Sequence, residues 1–267
     1  MKKLISFKNL KKGLHLLYID NYFDFKFGKT NVAPVKLTII EKRYGYADEL
    51  DRSFLELKLT TKLLYQVKNE IKIIDKTFTP VEIITYYDGV FINFVHQIKD
   101  KLLGLIWWLH QDENSTNYIT EPDKFRLKTV KSLINDESIS KLLEEWDQGS
   151  LSGIGVCLRK RRHYHHSLST LQKNDNFITA QSANLLLTED MPGPNINKKK
   201  VKSYLKISLN SLKKDTLSKQ KDTILLINEN INLISLQLIK FFSIKYDIRK
   251  MKDTIHIFGK SSEKLDT

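Results

Sequence analysis

From Pro80 to His110 the chain reads PVEIITYYDGVFINFVHQIKDKLLGLIWWLH. Its apolar residues recur at three- and four-residue steps, the spacing that places side chains on one face of an α-helix. Thr79 can cap such a helix, and Pro80 suits the first turn, where a backbone N–H has no helical partner. The stretch predicts a long, central and buried helix. Its apolar face comprises Ile84, Tyr87, Phe91, Phe94, Ile98, Leu102, Leu105 and Leu109.

Helical periodicity also appears on both sides of this stretch. It predicts one helix over about 48–75 and three further helices over about 121–134, 137–147 and 154–171. A C-terminal helical pair is predicted within 198–250. Its second member carries a heptad seam of apolar residues from Ile224 to Phe241. The seam could serve packing within the chain or dimerisation, and packing is favoured.

The N-terminal residues suggest a different structure. Leu14–Ile19 and Val35–Ile40 are short apolar runs typical of strands, and the turn-prone segment Gly28–Pro34 separates them. We therefore predict a mainly α protein with four parts, divided near the Pro- and Gly-containing stretch Thr188–Lys198. The parts are an extended or β segment at 1–47, a helical domain at 48–188, a helical pair at 198–250 and a disordered tail at 260–267.

Composition narrows the class of protein. A formal net charge of +13 favours a polyanionic partner such as nucleic acid. The most apolar run, Leu102–Leu109, is far shorter than a membrane span needs, so we expect no membrane association. Cys157 is the only cysteine, which excludes an internal disulfide and a multi-cysteine zinc site. With no signal-peptide pattern in Met1–Lys12, a cytoplasmic location is expected.

One short segment, LRKRRHYHH at 158–166, concentrates reactive side chains. It holds three of the seven arginines and three of the seven histidines. Histidine exchanges protons near neutral pH, and arginine can bind two phosphate oxygens at once. These groups suit RNA cleavage, in which a base removes the 2′-hydroxyl proton and that oxygen attacks the adjacent phosphorus. Such a reaction requires neither a metal nor a cofactor.

Helix geometry alone leaves the reacting pair open. On a continuous helix Arg161 shares a face with His165, and Arg162 shares one with His166. Metal binding is disfavoured, because His163 and His165 lie on different faces and no acidic residue or second histidine pair supplies the i+4 spacing. The segment could also be a non-catalytic basic surface that binds phosphate, or an ordinary solvated helix face.

The six residues from Arg161 to His166 resemble the arginine–x4–histidine signature of the HEPN superfamily. Arg162 stands where that family often has asparagine, and Arg159 with His165 or His166 also fits the permitted spacing. Ile98–Leu103, which contains Asp100, is similar to the acid-bearing earlier helix of such proteins. The likeness covers about 80–171.

This resemblance implies a helical bundle of HEPN type that forms a homodimer with a composite cleft and acts as a metal-independent endoribonuclease on RNA. Arg161 would hold the phosphate and His166 would act as general acid or base, with support from Arg159, Arg162, His165 and Asp100. The family implies a toxin or phage-defence role, with an antitoxin or regulatory partner. The alternatives are a non-catalytic helical protein that binds nucleic acid or a regulatory partner, and a structural protein assembled through its C-terminal seam.

Overall fold

The computed structural model describes residues 7–28, 33–67, 80–123, 125–134, 137–148, 154, 178–180, 182–183, 197–251 and 254–259. The chain is mainly helical over these residues, which confirms the predicted fold class at that level. The helices are α1 (Phe7–Phe27), α2 (Pro34–Gln66), α3 (Pro80–Leu109), α4 (Leu127–Lys131), α5 (Glu137–Gln148) and α6 (Lys198–Lys245). Two strands follow, β1 (Tyr246–Met251) and β2 (Thr254–Gly259).

The extended or β segment predicted at 1–47 is wrong wherever the structure describes those residues. Leu14–Ile19 lies inside α1 and Val35–Ile40 lies inside α2. A short apolar run looks alike in a strand and in a buried helix, so periodicity over six residues could not separate them. The wider pattern distinguishes the two, because Leu10, Leu14 and Leu17 recur at helical steps and are all buried. Gly28 follows α1 with a positive φ of 65°, a conformation common just after a helix ends.

Helix α2 begins earlier than the sequence pattern predicted. It starts at Pro34, where proline suits a first turn, and runs without interruption past Asp48 to Gln66. Leu50, Leu57 and Leu64 lie seven residues apart along it and are fully buried. The last part of the predicted 48–75 helix, beyond Val67, lies outside the described residues.

Helix α3 confirms the prediction for the central stretch. It begins at Pro80 as predicted and ends one residue before His110. Most of its predicted apolar face is buried, and Tyr87 and Phe94 are half-buried. The fully or almost fully buried members are Ile84, Phe91, Ile98, Leu102, Leu105 and Leu109.

The two helices after α3 differ in how well they match the sequence pattern. Helix α5 (Glu137–Gln148) agrees with the predicted 137–147, and Ile139, Leu143 and Trp146 are buried on its apolar face. Helix α4 covers only Leu127–Lys131 of the predicted 121–134. Of the predicted 154–171 helix, the structure describes Ile154 alone.

The predicted C-terminal helical pair is a single helix of 48 residues, α6. The stretch from Lys198 to Lys245 contains neither glycine nor proline, so nothing in the sequence interrupts the backbone hydrogen bonding. Within the predicted seam, Ile227, Ile231, Ile234 and Leu238 are buried in the single chain. The seam therefore packs within the chain, the favoured one of its two predicted uses.

A β-hairpin follows α6 directly and was not predicted. Strand β1 pairs antiparallel with β2, with Tyr246 opposite Gly259 and Met251 opposite Thr254. Strand β2 lies against α1. Strand β1 begins within the C-terminal end of the predicted 198–250 helical pair, and β2 lies beyond that pair. The predicted tail at 260–267 lies outside the described residues.

The chain divides into two compact units. Unit 1 comprises residues 1–53, 97–147 and 227–267, and unit 2 comprises residues 54–96 and 148–226. Among the described residues, no helix combines the length and apolar character needed to cross a membrane.

Candidate functional site

The arginine–histidine segment, 158–166, lies outside the described residues. This applies to both predicted catalytic residues, Arg161 and His166, and to three of the predicted supporting residues. Those three are Arg159, Arg162 and His165. Their roles and their register therefore stay predictions.

The described residues nearest this segment in sequence include both buried and exposed ones, and Ile178 is 47% exposed. Ile154, which precedes the segment, is fully buried, as is Ala180, which follows it. Ala180 and Ala183 belong to a hydrophobic core that α2, α3 and α6 also supply. The contributions from those helices are Leu64, Val81, Ile84, Leu205, Leu209, Leu212 and Leu217.

Asp100 is the one predicted site residue that the structure describes. It lies on α3 within unit 1 and is exposed. The next residue, Lys101, forms an ion pair with Glu49 of α2. Exposure on a helix surface suits an ordinary solvated carboxylate as well as a site residue, so the site role of Asp100 stays a prediction.

A buried ionic cluster in unit 1, not predicted from the sequence, is centred on Arg43 of α2. The guanidinium is fully buried. Its Nε donates to the backbone oxygen of Trp108 at 3.0 Å, and its Nη2 donates to that of Gln111 at 3.1 Å. Its Nη1 forms an ion pair with Glu113 and a 3.2 Å hydrogen bond with the Tyr246 hydroxyl. One side chain thereby joins α2, the end of α3 and the first residue of β1.

The chemistry of the Arg43 cluster indicates a structural role. Tyr246 also donates a hydrogen bond to Glu113. Burial raises the pKa of the Tyr246 phenol; Arg43 opposes this effect and Glu113 adds to it, so the hydroxyl stays protonated at neutral pH. A buried cation that is paired and hydrogen-bonded has its donors occupied. No sequence pattern marks this cluster, because its members are separated by 65 residues or more from Arg43 along the chain.

A second polar cluster in unit 1 joins α2 to the loop after α3. Glu121 accepts hydrogen bonds from Lys42, at 2.7 Å, and from the Tyr46 hydroxyl. Partial burial by itself would raise the pKa of Glu121, but the two hydrogen bonds outweigh burial, and the pKa is lowered. Burial and the hydrogen bond to Glu121 raise the pKa of Tyr46. The Glu121 carboxylate is therefore ionised and hydrogen-bonded, and it anchors the loop after α3 to α2.

The described part of the chain offers no group of three His, Cys, Asp or Glu side chains placed to hold a metal ion. The three clustered histidines of 163–166 lie outside that part. Comparisons with protein-family models, with curated proteins and with solved structures found no match to this chain.

Proposed function

We propose that the protein is a metal-independent endoribonuclease whose reacting groups lie in the 158–166 segment. The observation that carries the proposal is the density of that segment, with three arginines and three histidines among nine residues of a chain of net charge +13. One further observation supports it. The described part of the chain is mainly helical, as the HEPN resemblance requires.

The proposed reaction uses the substrate's own 2′-hydroxyl as nucleophile. A histidine, assigned as His166, accepts the proton of that hydroxyl or donates one to the departing 5′-oxygen. Arg161 holds the phosphate and stabilises the negative charge that grows on its oxygens. The bond between phosphorus and the 5′-oxygen breaks, and the products are a 2′,3′-cyclic phosphate and a 5′-hydroxyl. Arg159, Arg162, His165 and Asp100 are assigned supporting positions.

The biological setting is part of the same proposal. A homodimer would bring two copies of the segment into one cleft, so that one histidine could accept a proton while its counterpart donates one. The single cysteine suits a reducing compartment, and we place the activity in the cytoplasm. A role as a toxin or phage-defence effector, restrained by an antitoxin or regulatory protein, follows from the HEPN resemblance.

The test compares RNA cleavage by the wild type, Arg161→Ala and His166→Ala in the presence of EDTA. Loss of the proton-transfer group should slow cleavage by about 10²–10⁴-fold. Loss of the phosphate-binding arginine should slow it by about 10²–10³-fold. Arg161→Lys keeps the charge but loses the two-pronged geometry, so we expect it to cleave at an intermediate rate.

Arg126→Ala is the matched control, because Arg126 is exposed in unit 1 and has no assigned role. It should cleave like the wild type. If Arg161→Ala and His166→Ala also cleave like the wild type, the residue assignment is wrong. If the wild type binds RNA with strong salt dependence and leaves it intact, the protein is a nucleic-acid-binding module.

A further inference from the structure

The lysines of α6 in unit 2 are not spread evenly around the helix. Lys199, Lys206, Lys214 and Lys221 follow one another at steps of seven, eight and seven residues, and all four are exposed. At 100° per residue these steps keep the four side chains within about 80° of the helix circumference. They form a single row, called here the α6 lysine row, with a length of about 33 Å at 1.5 Å per residue.

The acidic residues of the same part of α6 lie on another side. Asp215 and Asp222 are seven residues apart, and both point about 130° away from the middle of the lysine row. Leu205, Leu209 and Leu212 of the unit 2 core occupy the remaining side, whereas the buried Leu217 lies within the sector of the lysine row. The row lysines and the aspartates therefore lie on different sides of this part of α6.

The positive charge of the row is not balanced by acidic side chains of the same helix. On an α-helix, charged side chains pair with residues three or four positions away. None of the four row lysines has an aspartate or glutamate at either distance in either direction. Lys219 provides the contrast, since it lies four residues after Asp215 and three before Asp222. The positive charge of the row is thus left to a partner outside the helix.

The length and narrowness of the row select the kind of partner. A small anion could contact one or two of these lysines, whereas an extended polyanion can contact them all. A flat anionic membrane resting on the exposed part of α6 would meet the acidic side as well as the basic side. A single nucleic-acid strand can follow the lysines and avoid the aspartates, and its phosphates match a line of ammonium groups.

We propose that the α6 lysine row binds the phosphate backbone of single-stranded RNA. This inference rests on the proposed function for the identity of the polyanion. Each lysine that contacts a phosphate releases condensed counterions, so binding through the row depends steeply on salt.

The test measures binding of 2′-O-methylated single-stranded RNA, which lacks a free 2′-hydroxyl and so stays intact, as a function of salt concentration. The variant is Lys206→Gln/Lys214→Gln/Lys221→Gln. Lysine and glutamine have similar helix propensities, so α6 should persist. With about 0.7 per contact for single strands, the slope of log affinity against log salt should weaken by about 2. At 0.1 M salt that corresponds to about 100-fold weaker binding.

The matched control is Lys58→Gln/Lys62→Gln/Lys219→Gln, which removes the same charge from exposed lysines of unit 2 outside the row. It should bind with nearly the wild-type slope. Equal losses in the two triple variants would show that net charge alone attracts RNA and would overturn the inference. The inference also fails if the wild type does not bind RNA, or if the row is needed only for phosphatidylserine vesicles.

Cleavage separates this inference from the proposed function. The row variant should cleave unmodified RNA at the wild-type rate when RNA is saturating, because its reacting groups are unchanged. If the wild type cleaves RNA and the row variant binds RNA normally, the proposed function is supported and the proposed role of the row in binding is wrong. If the wild type binds RNA through the row and does not cleave it, the inference about the row is supported and the proposed catalysis is wrong.

Discussion

Arg43 stabilises unit 1 through contacts that no neighbouring residue in sequence could provide. Its buried guanidinium bonds to backbone oxygens near the end of α3, to Glu113 and to Tyr246. Replacing both members of a buried ion pair with neutral groups often costs little, whereas removing one member leaves a buried charge unpaired. The effect of the Arg43–Glu113 pair on the free energy of unfolding is therefore seen only when one partner is removed and the other remains.

Arg43→Met should lower the free energy of unfolding by about 3–5 kcal/mol, because Glu113 loses its paired cation and several backbone oxygens lose their donor. Urea denaturation checks this. The control is Arg52→Met on the same helix, since Arg52 is 70% exposed and should change stability by no more than about 0.5 kcal/mol. Adding Glu113→Gln to Arg43→Met should restore part of the loss. Equal, small effects of Arg43→Met and Arg52→Met would contradict the structural role.

Glu121 should make the stability of unit 1 sensitive to acid. Its folded-state pKa is lowered, so its contribution is complete above the pKa of an unfolded glutamate, about 4.3, and disappears as the pH falls through the folded pKa. Glu121→Gln should cost about 0.5–1 kcal/mol at pH 7. The stabilities of wild type and variant, measured by urea denaturation across pH, should converge in acid. A difference that stays constant down to pH 3 would contradict this account.

At the scale of elements, the sequence predicted best where a long stretch shows one period. Helix α3 and helix α5 were predicted closely, because each has flanking start signals and a continuous apolar face. Part of helix α1 was predicted as strand from the six-residue run Leu14–Ile19, which is too short to show a period. The break predicted inside α6 had no glycine or proline to support it.

Helices α2 and α3 approach closely at Gly104, and this contact is specific to glycine. A Cβ at Gly104 would lie 2.9 Å from Cζ of Tyr46 and closer still to two other ring atoms. Gly104→Ala should therefore destabilise the protein by about 1–3 kcal/mol, as measured by thermal or urea denaturation. The control is Gly45→Ala on α2, where a Cβ meets nothing within 4 Å.

Because alanine favours a helix interior, Gly45→Ala should stabilise the protein by about 0.5–1 kcal/mol. The two substitutions are chemically identical, so opposite signs would isolate the contact with Tyr46. Stabilisation by both would mean that α2 and α3 are further apart at Gly104 than described.

At the scale of the whole molecule, the sequence and the structure contribute different parts of the account. The proposed reacting groups, Arg161 and His166, come from the sequence alone, because they lie in its densest arginine–histidine segment and outside the described residues. The structure supplies what depends on distant residues meeting, namely the Arg43 cluster. Sequence periodicity predicts that the α6 lysines lie on a helix. The structure adds which of these lysines are exposed and which side of α6 is buried, and the row is defined by both.

The central claim is that this basic, helical protein cleaves RNA by using the RNA's own 2′-hydroxyl. The most direct measurement identifies the ends of the products formed when the wild type is incubated with RNA in EDTA. The account predicts 2′,3′-cyclic phosphate and 5′-hydroxyl ends, together with no cleavage of the same sequence made as DNA. RNA left intact, or products with 3′-hydroxyl and 5′-phosphate ends, would contradict it.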